Sequence, residues 1–369
     1  MTGHLLPGPA TCADEDVAVF QQLVHRMPSV AVLQAAISKT VGRPRSITVE
    51  ALLVGRLLVA FYDHTANLKG AATWLHSKIS DNARDLLGLT TAAPRRADAF
   101  YRSYVRLFHA VAEQLDASAF VVTCGLQVRD EPRKRRILAR GEQLARHQRC
   151  VEFMGDLLET AVRTLPPEVL ARWKGDVGLD ATPVGTFGRG RNSRGSFWPS
   201  DPDAAMYTRD PDNTEEDYKQ KKHIFGYEMS LAFMEDPWTD DERQFPSLVV
   251  GMVVHKPGHA PGPNGARVLA GIQRRQHPAG LVGADRAYNG SKPEGFQLPA
   301  QQLGYGMVFD YRIDQLGKVA EAEGAIQVEG NWYCPSMPEA LIAATHDYRA
   351  GTIDEATYRR VRASAEAGS

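Results

Sequence analysis

Cysteine is scarce: the chain has four in 369 residues, Cys12, Cys124, Cys150 and Cys334, and no two of them form a C-x-x-C pair. That spacing excludes a disulfide framework and a self-contained zinc finger, and it suits a reducing compartment. Net charge is scarce as well. Lys and Arg number 43 against 44 Asp and Glu, a formal −1, so no global field draws the chain toward polyanions. Any nucleic-acid contact must then come from local clusters. Long apolar runs are missing. The longest, "ALLVGRLLVAFY" at residues 51–62, is broken by Gly55 and Arg56 and is too short to span a bilayer. The first residues lack a basic start followed by a continuous apolar core, so no signal peptide is expected. No internal repeat is evident. These absences leave a globular protein expected to be soluble and cytoplasmic, with no membrane partner.

What is present divides near Pro166-Pro167. Before it, apolar residues follow helical period from about residue 14. Thr48 is placed to cap a helix through "ALLVGRLLVAF", with Glu50 in its first turn. Phe100, Tyr104, Leu107, Phe108, Val111 and Leu115 share one helical face. Ile137, Leu138, Leu144, Val151, Met154, Leu158 and Val162 predict a second such helix over residues 134–165, stopped by the prolines. A helix-turn-helix within residues 48–79 fits this pattern, as does plain helical packing.

After the prolines, Gly, Pro and β-branched residues multiply. Strands are expected over residues 176–187, 223–233, 245–255, 279–285 and 305–313, with helices over 266–276 and 294–303. Phe225, Tyr227, Met229, Leu231 and Phe233 alternate on one side of the second strand. Loops join the first three strands, which predicts an antiparallel meander, and helices join the rest, which predicts parallel crossovers. The fold class expected is α/β, a ribonuclease H-like mixed sheet preceded by an all-α N-terminal region. The domains expected are a helical, DNA-binding region over 1–166, an incomplete catalytic core over 167–334 and a short tail of two helices over 335–369.

In such a sheet the first and fourth strands are central neighbours. Asp180, in "GLDATPV", and Asp285, in "GADRAYNG", then lie side by side at one edge. Two carboxylates that close repel unless a cation lies between them. Hard oxygen ligands on rigid strands suit Mg²⁺ or Mn²⁺, which keep positions open for water and phosphate oxygens and serve in-line displacement at phosphorus.

Here the residues resemble a family. "LDATPV" looks like the D-x-T motif of DDE-type insertion-sequence transposases, and "ADRAYNG" resembles their D-x-x-Y motif. The stretches "KKHIFGYEMSLAF", "PAGLVGADRAYNG", "FQLPAQQLGYGMVFDYR" and "VEGNWYCPSMPEALI" carry the likeness further, to a group of bacterial transposase-like proteins. The resemblance implies a ribonuclease H-like catalytic fold, Mg²⁺-dependent DNA cleavage at transposon ends, and strand transfer by the freed 3′-hydroxyl. It implies that Asp180 and Asp285 are two catalytic, metal-binding members of a triad. The third, a Glu on a later helix, has no counterpart. Glu339 and Glu355 lie on candidate helices in other contexts, so a truncated or split copy is expected. The expected partners are DNA at transposon ends and, as one option, a second copy in a homodimer. Two other functions stand beside transposition: a non-catalytic DNA-binding remnant, and another ribonuclease H-like metal-dependent nuclease. An aspartate-nucleophile phosphatase is set aside, since position 182 holds Thr where a second Asp is needed.

Several residues carry two readings. Asp180 either binds metal or caps a turn, and Asp176 is its rival at the start of the strand. Arg133, Lys134, Arg135, Arg136 and Arg140 form either a solvated face or a phosphate-neutralising cluster. Arg189, Arg191 and Arg194, interleaved with glycine in the long segment 188–222, are candidates for DNA contact, and so is Arg286. Tyr288 reaches DNA or packs. Thr182 satisfies a local backbone group or orients Asp180. His223 is a site residue or a surface histidine, and Cys334 is expected to be buried.

Overall fold

Helix-period patterning before residue 166 and strand patterning after it resolve into two hydrophobic cores bridged by one long helix. The computed structural model describes residues 11–38, 45–89, 93–118, 120–121, 136–186, 201, 204–209, 222–236, 244–309, 316–329 and 331–366. The first core is built by α1 (Asp14–His25), α2 (Pro28–Ile37), α3 (Val49–Asp63), α4 (Leu68–Thr73), α5 (Asp81–Leu86) and α6 (Ala97–Leu115). Thr48 caps α3 as its sequence predicts, its hydroxyl accepting the Ala51 N–H at 3.1 Å. The three-and-four spacing on α6 buries Phe100, Tyr104, Leu107 and Val111, and the Tyr104 hydroxyl donates to the Leu52 carbonyl at 2.9 Å. Gly55 breaks the apolar run for a packing reason. A Cβ there would lie 2.9 Å from Leu75 Cγ, so glycine lets α3 approach the π-helical turn Trp74–Lys78. In the 48–79 segment, α3 and α4 are joined by residues 64–67 and pack together.

A two-stranded pair, β1 (Phe120–Val121) and β2 (Arg136–Ile137), precedes α7 (Arg140–Val162). The strand delays α7 past its expected start at residue 134. Leu144, expected on the buried face, is 60% exposed, while Arg146 is buried at 8%. Arg146 tolerates burial because Glu142 and Glu113 flank it at 2.7 and 3.6 Å. α7 touches both cores. Phe153 packs on the first and Val162 belongs to the second, and Asp156 accepts the Ser29 N–H at 2.7 Å. The helix ends before the two prolines, and Pro167 opens the short α8 (Pro167–Leu170).

The second core lies on a mixed sheet of β3 (Val177–Gly185), β4 (Ala205–Arg209), β5 (Lys222–Met234), β6 (Val249–His255), β7 (Leu281–Ala284) and β8 (Gly306–Phe309). The order is β5-β3-β7-β8, with β4 and β6 both on the outer edge of β5. β3, β5 and β6 pair antiparallel, whereas β3–β7 and β7–β8 are parallel. α9 (Pro261–Arg274) crosses from β6 to β7. α10 (Arg286–Asn289), a 3₁₀ turn at Pro293–Gly295 and α11 (Gln297–Gln302) lead into β8. The expected strand order holds, and β4 is an added strand within the long polar segment.

Alternation along β5 marks two faces, and packing decides which is inner. On β5 the buried residues are Gly226, Glu228, Ser230, Ala232 and Met234, and the large residues Phe225, Tyr227, Met229, Leu231 and Phe233 are half-buried. The cause is α9. Its Val268 and Ile272 pack so close to β6 that a Cβ on Gly251 would lie 2.6 Å from Val268 Cγ1. A close helix selects the small-residue face of the sheet. Beyond β8, strands β9 (Lys318–Ala322), β10 (Ala325–Val328) and β11 (Asn331–Tyr333) form a separate antiparallel sheet. Its first strand is almost wholly exposed and shows no apolar alternation to announce it. The tail holds α12 (Glu339–Ile342), α13 (Ala344–Arg349) and α14 (Glu355–Glu366), three helices instead of the expected two. Among the described residues no helix is long and apolar enough to cross a membrane.

Candidate functional site

The register of β3 against β7 decides where the two aspartates go. Val177 pairs with Val282, Gly178 with Gly283 and Leu179 with Ala284. Asp180 and Asp285 are the next residue on each side, one step past the last paired rung, on strands spaced about 4.8 Å apart. Both aspartates are exposed. Asp180 is central in β3 and not late in it, because β3 continues along β5 to Gly185 after β7 has ended. Its Oδ1 accepts the Ala181 N–H at 2.7 Å, and Asp285 Oδ1 accepts the Ala287 N–H at 2.9 Å where the chain turns into α10.

Asp176, the rival ligand, does something else. It is buried, and its Oδ1 accepts the Leu281 N–H at 2.6 Å, clamping the first residue of β7 to the start of β3. It sits at the opposite end of the shared ladder from Asp285.

Beneath the pair lies a buried polar group of which sequence reading singled out only Tyr288, and of its two readings the structure shows packing. Tyr288 is 1% exposed, and its hydroxyl donates to Ser230 Oγ at 3.3 Å. Ser230 Oγ meets His255 Nε2 at 2.9 Å, and His255 Nδ1 lies 3.8 Å from Glu228 Oε2. Burial pushes the Tyr288 hydroxyl up to about 12 against the hydrogen bond to Ser230, and the charges of Asp285, Asp180 and Glu228 add to the rise. The signal in the sequence was Glu228 and Ser230, polar at alternate positions of an otherwise apolar strand.

No family model, curated protein or solved structure matches the chain. What the site can do must follow from its geometry. Among the described residues no group of three or more His, Cys, Asp and Glu side chains is arranged to hold a metal, so neither Glu339 nor Glu355 joins the aspartates. Both glutamates are exposed, and Glu355 pairs with Arg359 at 2.6 Å. Two neighbouring carboxylates still fit Mg²⁺ or Mn²⁺, since such ions take one or two carboxylates and complete their shell with water and phosphate oxygens.

The remaining candidates scatter. Arg140 is exposed at the start of α7. Arg136 lies in β2 opposite Val121. Its side chain and that of Arg286, the first residue of α10, fall outside the described residues, as do Arg133, Lys134, Arg135, Arg189, Arg191 and Arg194. Thr182 is exposed two residues past Asp180. His223 is exposed and bonded to Thr208 at 3.0 Å. It pairs across to Thr208 while Asp180 pairs with Leu231, eight residues on, about 26 Å along the strand. It is a surface histidine. Cys334 is exposed, not buried, because it follows β11 in a turn. Hydrogen bonding from the Ser336 side chain and backbone holds its thiol below the usual range.

Proposed function

We propose that the chain is a DDE-type, transposase-like protein on a ribonuclease H-like core, in which Asp180 and Asp285 hold Mg²⁺ or Mn²⁺ for cleavage and strand transfer at transposon ends. The observation that carries this is the β3–β7 register, which ends one residue before Asp180 and Asp285 and so favours their adjacency where β7 ends. The order β6-β5-β3-β7-β8, with the first three strands antiparallel to one another and β7 and β8 parallel to β3, supports the ribonuclease H-like reading. The motif likeness around "LDATPV" and "ADRAYNG" points the same way.

In this role the carboxylates bind and orient. A bound cation would supply charge neutralisation at the scissile phosphate and a more acidic attacking water. Asp180 is held by its pairing with Leu231 of β5 and Asp285 by the start of a helical turn, so neither needs to reorganise to take a ligand. Arg286 beside Asp285, Arg140, and the arginines of the 133–136 and 189–194 segments supply positive charge for the DNA backbone.

The reading is tested by nicking of supercoiled plasmid in Mn²⁺. Wild type should nick, and Asp180→Asn and Asp285→Asn should each lose the activity. Nicking that survives both substitutions would sink the proposal. A second reading, the non-catalytic DNA-binding remnant, is favoured by the lack of a third metal-holding carboxylate among the described residues. Its signature is plasmid binding by the wild-type chain without Mn²⁺-dependent nicking.

A further inference from the structure

Ser230, His255 and Glu228 stand in the order of a hydrolase triad, yet Ser230 is 0% exposed and no substrate can reach its hydroxyl. The cluster faces inward, toward Tyr288. Its hydrogen bonds have a direction. The Lys256 carbonyl, 2.9 Å from His255 Nδ1, can only accept, so Nδ1 carries the ring proton. In the neutral ring Nε2 then accepts from Ser230, and Ser230 Oγ accepts from Tyr288. Glu228, 8% exposed, accepts the Gly258 N–H at 2.8 Å and closes the turn that follows His255. Every donor in the chain from Tyr288 to Lys256 therefore has an acceptor inside the protein.

Two members of this chain adjoin the two aspartates. Ser230 is paired with Ala181, the residue after Asp180. Tyr288 sits in α10, whose first turn is closed by the Tyr288 N–H to the Asp285 carbonyl at 3.2 Å and by the Ala287 N–H to the Asp285 carboxylate. A helix of four residues has too few hydrogen bonds to hold its own geometry. Something must hold it against the sheet. Phe296 packs on the Tyr288 ring at 5.3 Å between centroids, which fixes the ring's depth but leaves its hydroxyl end to the polar chain.

We propose that Tyr288, Ser230 and His255 are positioning residues, a buried hydrogen-bond chain that holds α10 and so keeps the Asp285 carboxylate at the rung of Asp180. This deepens the metal-site reading and rests on it for the affinity measurement below, though not for the exchange measurement.

Two measurements on the full chain separate the claims. Hydrogen exchange of residues 285–291 in metal-free protein reads the lock itself, and Mn²⁺ titration by electron paramagnetic resonance reads its consequence. Tyr288→Phe removes only the hydroxyl, and His255→Leu removes the acceptor. Each should speed exchange of 285–291 by about five- to tenfold, the worth of one buried hydrogen bond. Each should weaken Mn²⁺ affinity by a similar factor. His255→Gln offers an amide oxygen to Ser230 and should restore both towards wild type, which a merely space-filling histidine would not predict. Unchanged exchange in Tyr288→Phe overturns the proposal, and so does His255→Gln behaving like His255→Leu. Asp180→Asn is the control for the metal. If exchange responds as expected but Asp180→Asn binds Mn²⁺ as wild type does, the lock stands and the metal reading falls.

Discussion

Asp176 and Leu281, far apart in the chain, are joined by a 2.6 Å bond from the Leu281 N–H to the Asp176 carboxylate. The bond lies one rung before the β3–β7 ladder begins at Val177 and Val282. It fixes the phase of a parallel pairing of only three rungs, which ends one residue short of Asp180 and Asp285. Asp176→Ala would leave the Leu281 N–H without its acceptor, at a cost of about 1–3 kcal/mol, whereas Asp176→Asn keeps an oxygen in place and should cost clearly less. Urea unfolding of the two variants checks the difference. Equal losses would show that the carboxylate does not clamp the strand.

Removing the charge of either exposed aspartate should not destabilise the metal-free protein, because both side chains are exposed and Asn keeps an oxygen for the local N–H. Asp180→Asn and Asp285→Asn are expected to melt close to wild type without metal. With excess Mn²⁺ only wild type should gain melting temperature, since ligand binding to the native state stabilises it by mass action. Thermal scans with and without Mn²⁺ decide this.

Glu159 on α7 ties the helical core to the sheet. His277 Nε2 lies 2.7 Å from it, Arg163 Nε 2.7 Å and Arg275 Nε 3.5 Å. Burial alone would raise this carboxyl, but the hydrogen bonds of His277 and Arg163 and their charges bring it down to about 2. A depressed carboxyl contributes stability above its unfolded value near 4.3, and that contribution is lost as pH falls toward 2. Glu159→Gln should therefore cost roughly 2–3 kcal/mol at pH 6 and progressively less below about pH 4. Denaturant midpoints of both proteins across that range give the result, and a gap that does not shrink on acidification would contradict it.

Gly55→Ala should destabilise although alanine is the better helix former by about 1 kcal/mol. The new Cβ meets the Leu75 side chain and lies 3.2 Å from the Ala71 carbonyl, and Leu75 is fully buried with nowhere to move. Overpacking of this kind costs about 1–3 kcal/mol. A rise in the unfolding midpoint would mean that α4 and the π-helical turn shift freely.

Replacing Arg135 and Arg136 by alanine together should weaken DNA binding evenly across sequences and flatten its salt slope by about two. Fluorescence anisotropy at several salt concentrations measures the slope. An unchanged slope would assign the cluster to the solvated surface.

The sequence by itself determined the buried face of α6 and the order of the five expected strands. Tyr104 and Leu107 are buried because a helix turns every 3.6 residues, and β3, β5 and β6 pair antiparallel while β7 crosses over because loop or helix connectors allow little else. The proposed adjacency of Asp180 and Asp285 rests on that order. Tertiary structure alone decided which face of β5 is buried. Period-two alternation marks two faces without naming the inner one, and the close approach of α9 over Gly251 chose the side with Ser230 and Ala232. It also decided that Arg146 could be buried, because Glu113 arrives from another helix, and that Ser230, His255 and Tyr288 touch. Periodicity reports what one segment presents; which segment lies opposite is settled only when the chain closes on itself.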